Sequence, residues 1–168
     1  MDIGKFCVSL MSMSDDVWMR HTNPVSVWTR IFSFPFVFFS VWSYVWVGWF
    51  SLLAIGLVFL CLWFNPRIFH KPKTTKTWSS MGVLGERVWL NRKNIPIPLE
   101  HERVVNVLLK LCISGVCVSI YGFIVKDFWA AFMGWNFAAL AKFWFFDRMV
   151  WLYKDMKDKN EEYRSWFY

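Results

Sequence analysis

Four short polar clusters in this chain carry the residue types that bind anions or transfer protons. They are RHTN at residues 20–23, NPRIFH at 65–70, GERVWLNR at 85–92 and DRMVW at 147–151. Arginine occurs in all four clusters, and its planar guanidinium donates paired hydrogen bonds to a phosphate or a carboxylate. Each cluster lies near one end of a long apolar stretch. This pattern predicts an anion site at the boundary between the polar and apolar parts of the protein.

The candidate lipid- or anion-binding residues are the charged members of these clusters and one arginine, Arg30, from the stretch that follows the first cluster. They are Arg20, Arg30, Arg67, Glu86, Arg87, Arg92, Asp147 and Arg148. A ring of arginines could hold a phospholipid headgroup or a phosphorylated lipid substrate. The alternative is that these residues flank membrane crossings, pair with one another and set the depth of the helices.

Proton transfer has one candidate catalytic base, His21. A base needs a neighbouring group that orients it, and Asp147 or Glu86 could supply the carboxylate. No spacing in the sequence brings these residues together, and the motifs HExxH, GxSxG and Walker A do not occur. Catalysis on a lipid headgroup is therefore the alternative to non-enzymatic binding.

Metal ligands do not form a recognisable pattern in the sequence. The three histidines, His21, His70 and His101, have no spacing that would place two of them on one helix face, and the four cysteines form no CxxC pair. The cysteines fit better as small apolar residues. We therefore predict no metal site and no cofactor.

The overall composition indicates a membrane protein. Apolar residues make up 57% of the 168 residues, and the 18 Phe, 13 Trp and 5 Tyr are more rings than a soluble domain of this length can bury. Lys and Arg outnumber Asp and Glu by 19 to 12, which gives a formal net charge of +7. Beside long apolar runs, this charge favours the phospholipid bilayer and its anionic lipids as the partner, and it argues against nucleic acid.

The longest apolar run, residues 31–64, contains no charged residue. As one straight helix it would measure about 51 Å, whereas the hydrocarbon layer of a bilayer is about 30 Å thick. The run must therefore fold back, and Gly48 marks the predicted turn. The first crossing begins at Pro24 after the N-cap Asn23, and Pro35 is predicted to kink it.

The predicted fold is an all-α membrane protein with four transmembrane helices in two hairpins. The helices cover about 24–44, 47–64, 104–125 and 128–146. The second is expected to stop at Asn65, because a residue before proline avoids helical geometry. A face of small residues on the third helix is predicted to pack against small residues of the fourth. These residues are Gly115, Ser119 and Gly122, facing Ala131, Gly134, Ala138 and Ala141.

Two polar residues of the fourth helix are assigned structural roles. Lys142, near the end of the helix, is predicted to extend its ammonium to the headgroup region. Asn136 is predicted to hydrogen-bond a neighbouring helix. The sequence does not mark either of them as a candidate site residue.

Charge in the loops predicts the orientation. The polar stretch 65–103 carries eight Lys or Arg against three Glu, whereas the two hairpin turns carry one Lys and one Asp between them. Basic loops stay on the cytoplasmic side, so this loop and both termini are predicted to be cytoplasmic. Within the loop, residues 79–93 are predicted to form a short interfacial helix capped by Ser79 or Ser80. Residues 147–168 are predicted to form an amphipathic tail on the membrane surface.

Several stretches resemble a family of small prokaryotic multi-pass membrane proteins that is a domain of unknown function. They are WMRHTNPVSVWTR, NPRIF, GERVWLNRKNIPIP and DRMVWLYKDM. The resemblance extends from about Ser14 to Asp158. It implies a multi-pass protein of a bacterial or archaeal plasma membrane, and it implies no activity, cofactor or partner.

The function favoured by these patterns is non-enzymatic binding of lipid or of a partner subunit, which could be a second copy of the chain. The binding surfaces would be the arginines at the cytoplasmic edge and the aromatic helix faces. The alternative is a small membrane enzyme that acts on a phospholipid or other lipid headgroup. His21 would then be the base, and the arginines would hold the phosphate.

Overall fold

The computed structural model describes residues 14–168, and within that range it contains helices and no β-strand. The helices are α1 Asp15–His21, α2 Pro24–Phe32, α3 Phe34–Trp42, α4 Tyr44–Val47, α5 Ser51–Ile68, α6 Trp78–Leu90, α7 Leu99–Val125, α8 Phe128–Met156 and α9 Glu161–Ser165, with a 3-10 turn at Gly48–Phe50. The prediction of an all-helical fold is therefore confirmed for the described part of the chain.

The first hairpin begins as the sequence predicts. The Asn23 side chain accepts a hydrogen bond from the Val25 N–H at 2.9 Å, and Pro24 occupies the first position of α2. The expected continuous helix is interrupted at Ser33, between α2 and α3. Pro35 has no N–H to donate to the carbonyl one turn earlier, which weakens the helix at that point.

The return helix of the first hairpin, α5, has the predicted length of 18 residues but begins and ends four residues later than predicted. Gly48 makes the turn with φ of +56°, as expected for a residue without a side chain. The predicted stop at Asn65 is wrong, because α5 continues through Pro66 to Ile68. Ser26 Oγ donates to Asn65 Oδ1 at 2.5 Å, and Asn65 Nδ2 donates to Thr29 Oγ1 at 2.8 Å. These bonds to α2 hold residue 65 in helical geometry despite the proline that follows.

The second hairpin packs through the predicted small residues. A Cβ on Gly122 would lie 2.1 Å from Ala131 N, so the backbones of α7 and α8 are in direct contact. Ser119 Oγ donates to Ala131 O at 3.0 Å across the same contact. Lys126 makes the turn in the left-handed region, and Asp127 caps α8. The predicted close packing of these helices is confirmed.

The last part of α8 is core and not a surface tail. The helix is continuous to Met156, and Met149, Tyr153 and Met156 are completely buried. The apolar stripe that was expected to face a membrane surface therefore packs against protein. An apolar stripe has the same spacing on a surface helix and on a core helix, and here α6 covers it.

Helix α6 is buried between its neighbours. Thr77, and not the predicted Ser79 or Ser80, is its N-cap, since Thr77 Oγ1 accepts from the Ser80 N–H at 3.2 Å. Every residue from Trp78 to Leu90 is buried or half-buried. An interfacial helix with one face open is therefore the wrong description, because α8, α2 and the C-terminal residues enclose it.

An aromatic cluster joins the two hairpins. Phe38 on α3 lies 5.6 Å from the rings of Phe123 and Phe132 and 5.9 Å from Phe128, measured between ring centroids. Trp42 stacks on Phe38 one turn later, with their rings almost parallel. Such contacts stabilise the packing beyond the area they bury.

Two segments of the described chain are long and apolar enough to cross a membrane, by length and composition. They are Pro24–Ile68 and Leu99–Val125, and 6% and 22% of their most apolar windows are buried within the protein. The predicted fourth span, 128–146, is not among these two segments. It contains the polar residues Asn136 and Lys142.

Candidate functional site

A cavity of about 380 Å³ lies where α2, the start of α3, α6 and α8 meet. Most of its wall is apolar, formed by Val27, Ile31, Phe34, Ala139, Leu140, Phe143 and Phe146. Its polar lining consists of Arg30, Glu86, Asn136 and Lys142. The cavity therefore combines two cations and one carboxylate with a wall suited to hydrocarbon.

Two of these charged residues form an ion pair between helices. Lys142 Nζ of α8 donates to Glu86 Oε1 of α6 at 2.7 Å, and it also lies 4.2 Å from the Phe145 ring centroid. Gly85 allows this pairing, because α6 approaches the α8 backbone so closely that a Cβ there would collide with Met149. The pairing joins residues 56 positions apart in the sequence.

Arg30 is oriented by its own helix and by α1. Its Nε donates to Ser26 O at 3.1 Å, and Nη2 donates to His21 O at 3.1 Å. Its Nη1 contacts His21 Nε2. Burial, followed by the charges of Arg30 and Lys142, holds the pKa of His21 well below its ordinary value of 6.5. His21 is therefore neutral and accepts from the guanidinium at Nε2.

The candidate base is not placed for acid–base catalysis. Neither Asp147 nor Glu86 hydrogen-bonds His21 within the described residues, because Asp147 accepts from Trp78 Nε1 at 2.8 Å and Glu86 pairs with Lys142. His21 Nδ1 is buried and has no hydrogen-bond partner in that part of the chain. The histidine accepts from Arg30, and no carboxylate of residues 14–168 hydrogen-bonds its ring.

Arg20 and Arg67 lie together at the junction of α1 and α5. Arg20 forms an ion pair with Asp16 at 2.7 Å and donates to Arg67 O at 3.4 Å. The bond from Lys71 and the charges of Lys71 and Arg20 lower the pKa of Asp16. The Arg67 guanidinium lies 3.8 Å from the centroid of the Trp63 ring. These groups fasten α1 to the end of α5.

Arg87 connects three separate parts of the chain. Its guanidinium pairs with Asp15 of α1, lies 3.8 Å from Glu162 of α9, and stacks 4.1 Å from the Trp166 ring centroid. Arg92 similarly lies 4.1 Å over the ring of Trp89. Neither arginine lines the cavity, and the contacts of Arg87 hold α1 and the C-terminal residues against α6.

Arg148 follows Asp147 in the sequence, but its side chain differs from that of Asp147 in its hydrogen bonding. Its Nε is buried and has no hydrogen-bond partner among residues 14–168. Of the eight candidate anion-binding residues, the structure places Arg30 and Glu86 at the cavity and the other six outside its lining.

Sequence reasoning missed two residues of the site, Lys142 and Asn136. Lys142 pairs with Glu86 of α6, a contact that the sequence did not indicate. Asn136 Nδ2 donates to Phe132 O of its own helix at 2.8 Å, which corrects the prediction of a bond to a neighbouring helix. The available signal was polarity within an apolar helix, which is rare and usually functional.

The described residues contain no group of three or more His, Cys, Asp or Glu that could hold a metal ion.

Comparison with known proteins gives one family and no individual relative. No curated protein and no solved structure matches the chain. A family model described as a family of unknown function (DUF6653) matches residues 5–165, which include all four polar clusters. The chain belongs to this family of unknown function, DUF6653.

Proposed function

We propose that this protein is a non-enzymatic integral membrane protein that binds an anionic phospholipid in the cavity lined by Arg30 and Lys142. The observation that carries the proposal is the composition of the cavity wall, which joins charged groups to a mostly apolar surface. Two cations and one carboxylate leave one net positive charge in the lining. A phospholipid has the matching distribution, with a phosphate next to hydrocarbon chains.

The charged and apolar parts of the cavity follow the length of α8. Asn136 precedes Lys142 by about 9 Å along the helix axis. In the proposed orientation, Lys142, Glu86 and Arg30 lie at the cytoplasmic edge, and the wall near Asn136 lies deeper in the hydrocarbon. The phosphate would bind at the edge while the acyl chains follow the apolar wall.

The proposed topology has four spans in two hairpins, with both termini and the middle loop in the cytoplasm. Large apolar side chains are exposed along the helices, including Phe36, Trp49, Leu53 and Trp129. Water would not favour so much exposed apolar surface, whereas lipid or a partner subunit would cover it. Helix α6 would then lie at headgroup depth, packed inside the protein and not open on one face.

Reporter fusions test the topology. We expect fusions after Lys73 and after the C-terminal Tyr168 to report the cytoplasm, because the middle loop is strongly basic. A fusion after Lys126, in the second hairpin turn, should report the opposite side. An extracytoplasmic signal from the first two positions, or a cytoplasmic signal at Lys126, would contradict the four-span arrangement.

Lipid that stays bound on purification tests the binding site. Arg30→Ala and Lys142→Ala are each expected to reduce bound anionic phospholipid about tenfold, because each removes a charge-assisted hydrogen bond to the phosphate. Native mass spectrometry in mild detergent measures the loss. Arg164→Ala is the control, since that side chain is 70% exposed and lies outside the cavity lining.

The folding of each variant must be checked before the lipid contents are compared. A thermal melt in the same detergent shows whether Arg30→Ala also destabilises the fold, since Arg30 donates a hydrogen bond to the His21 carbonyl. Equal lipid contents in well-folded cavity variants and in the control would overturn the proposed function.

A further inference from the structure

Glu86 places a carboxylate inside a cavity that otherwise favours an anion. Its Oε1 accepts from Lys142 at 2.7 Å, and Oε2 accepts no hydrogen bond from the described residues. The Glu86 side chain is 20% exposed, so it is largely withdrawn from solvent. When a bound ligand shields this carboxylate oxygen from water, leaving it without a hydrogen bond is costly.

The two cations keep donors available for a phosphate. Arg30 uses three of its five N–H groups on Ser26 and His21, and one N–H remains on each terminal nitrogen. Lys142 uses one of its three N–H groups on Glu86. The cavity therefore offers donors on Arg30 and Lys142 and one acceptor on Glu86.

We propose that the cavity selects phospholipids whose headgroup carries a hydroxyl donor beside the phosphate, as in phosphatidylglycerol. Arg30 and Lys142 bind the phosphate, and Glu86 Oε2 accepts from the headgroup hydroxyl. The single negative charge of such a lipid balances the single net positive charge of the lining. A headgroup of the same charge without a donor leaves Oε2 unpaired, and this is the basis of the selection. The inference rests on the lipid binding proposed above.

Two lipids of equal charge distinguish the contribution of the headgroup hydroxyl to binding from that of the phosphate. Phosphatidylglycerol and phosphatidylmethanol both carry one negative charge, and only the first has hydroxyl groups in its alcohol. We expect the full chain in mild detergent to bind phosphatidylglycerol about tenfold more tightly, as a hydrogen bond to a carboxylate predicts. Native mass spectrometry of lipid titrations measures the ratio.

Variants of Glu86 assign the preference to that residue. Glu86→Gln keeps the size of the side chain and a weaker neutral acceptor, so the ratio should fall to about twofold. Glu86→Leu has no acceptor and should bind the two lipids equally. Glu100→Gln changes an exposed carboxylate outside the cavity lining and should leave the ratio at its original value.

The outcomes distinguish this inference from the lipid binding on which it rests. Equal affinity of the unaltered protein for the two lipids overturns the selection and leaves lipid binding intact. An unchanged ratio in Glu86→Gln and Glu86→Leu overturns the role of Glu86. Failure to bind either lipid overturns the proposed function. Competition by glycerol 3-phosphate at the same concentration as lipid assigns the site to a soluble phosphate ester, which overturns the phospholipid assignment.

Discussion

Gly85→Ala is expected to lower the free energy of unfolding by about 3 kcal/mol, the upper end of the usual cost of overpacking. A Cβ at residue 85 would lie 1.9 Å from the carbonyl oxygen of Met149 and 2.5 Å from its carbonyl carbon. Because both are backbone atoms, no change of rotamer relieves the overlap, and α6 must move away from α8. Glu86 follows Gly85 on α6, so we expect the Glu86–Lys142 pair to separate and lipid binding to fall as well.

Gly56→Ala is the matched control for this substitution. Gly56 also lies within a helix, but a Cβ there has nothing within 4 Å. Both substitutions gain about 1 kcal/mol of helix propensity, so the difference between them isolates the contact with α8. Thermal or chemical unfolding in one detergent measures both. Equal stability of the two variants would contradict the close approach of α6 and α8.

Tyr163→Ala is expected to cost about 4 kcal/mol, as removal of a completely buried aromatic side chain does. The Tyr163 hydroxyl accepts from Asn91 Nδ2 at 2.9 Å, and its carbonyl accepts from the Tyr153 hydroxyl at 3.0 Å. Its ring lies 5.0 Å from that of Trp166, measured between centroids. Burial raises the pKa of Tyr163, so the phenol stays neutral in this contact.

Two further variants show which part of the Tyr163 side chain accounts for the loss of stability. Tyr163→Phe keeps the ring and removes only the hydroxyl, so about 1 kcal/mol is expected. Tyr121→Ala removes a tyrosine that is 61% exposed and should have a small effect. Unfolding curves and protease susceptibility of the C-terminal residues provide the measurements. A Tyr163→Ala variant as stable as Tyr121→Ala would show that the C-terminal segment does not belong to the core.

The C-terminal segment is held by backbone and side-chain bonds to the middle loop. Thr75 Oγ1 donates to Trp166 O at 2.7 Å, and the Thr75 N–H donates to Tyr168 O at 2.9 Å. These residues are more than 90 positions apart in the sequence. This explains how a tail expected on the membrane surface became part of the folded core.

Local signals made part of this fold predictable. Asn23 with Pro24 and Gly48 each determine the geometry of their own few residues, the first through a cap and the second through a positive φ. The stripe of small residues on α7 also predicted a contact, because glycine and serine at helical spacing allow a neighbouring helix to approach closely. All of these are properties of a single element or of two adjacent helices joined by a short turn.

The candidate site was only partly predictable for the same reason. The sequence identified Arg30 and Glu86 as charged residues near apolar stretches, and it marked Lys142 as a cation near the end of a helix. Charge and position along a helix are visible in the sequence, whereas the partner of each charge is not. The pairing of Glu86 with Lys142 depends on how α6 crosses α8, which Gly85 permits.

The sequence by itself determined the helical class and the ends of several helices, because caps, turns and apolar periodicity act over a few residues. The tertiary structure alone decided that α6 is enclosed, that α8 continues as core to Met156, and that Arg87 pairs with Asp15 away from the cavity. An apolar stripe such as Met149, Tyr153 and Met156 has the same spacing whether lipid or protein covers it. Only the packing of helices distant in sequence decides which of the two lies against it.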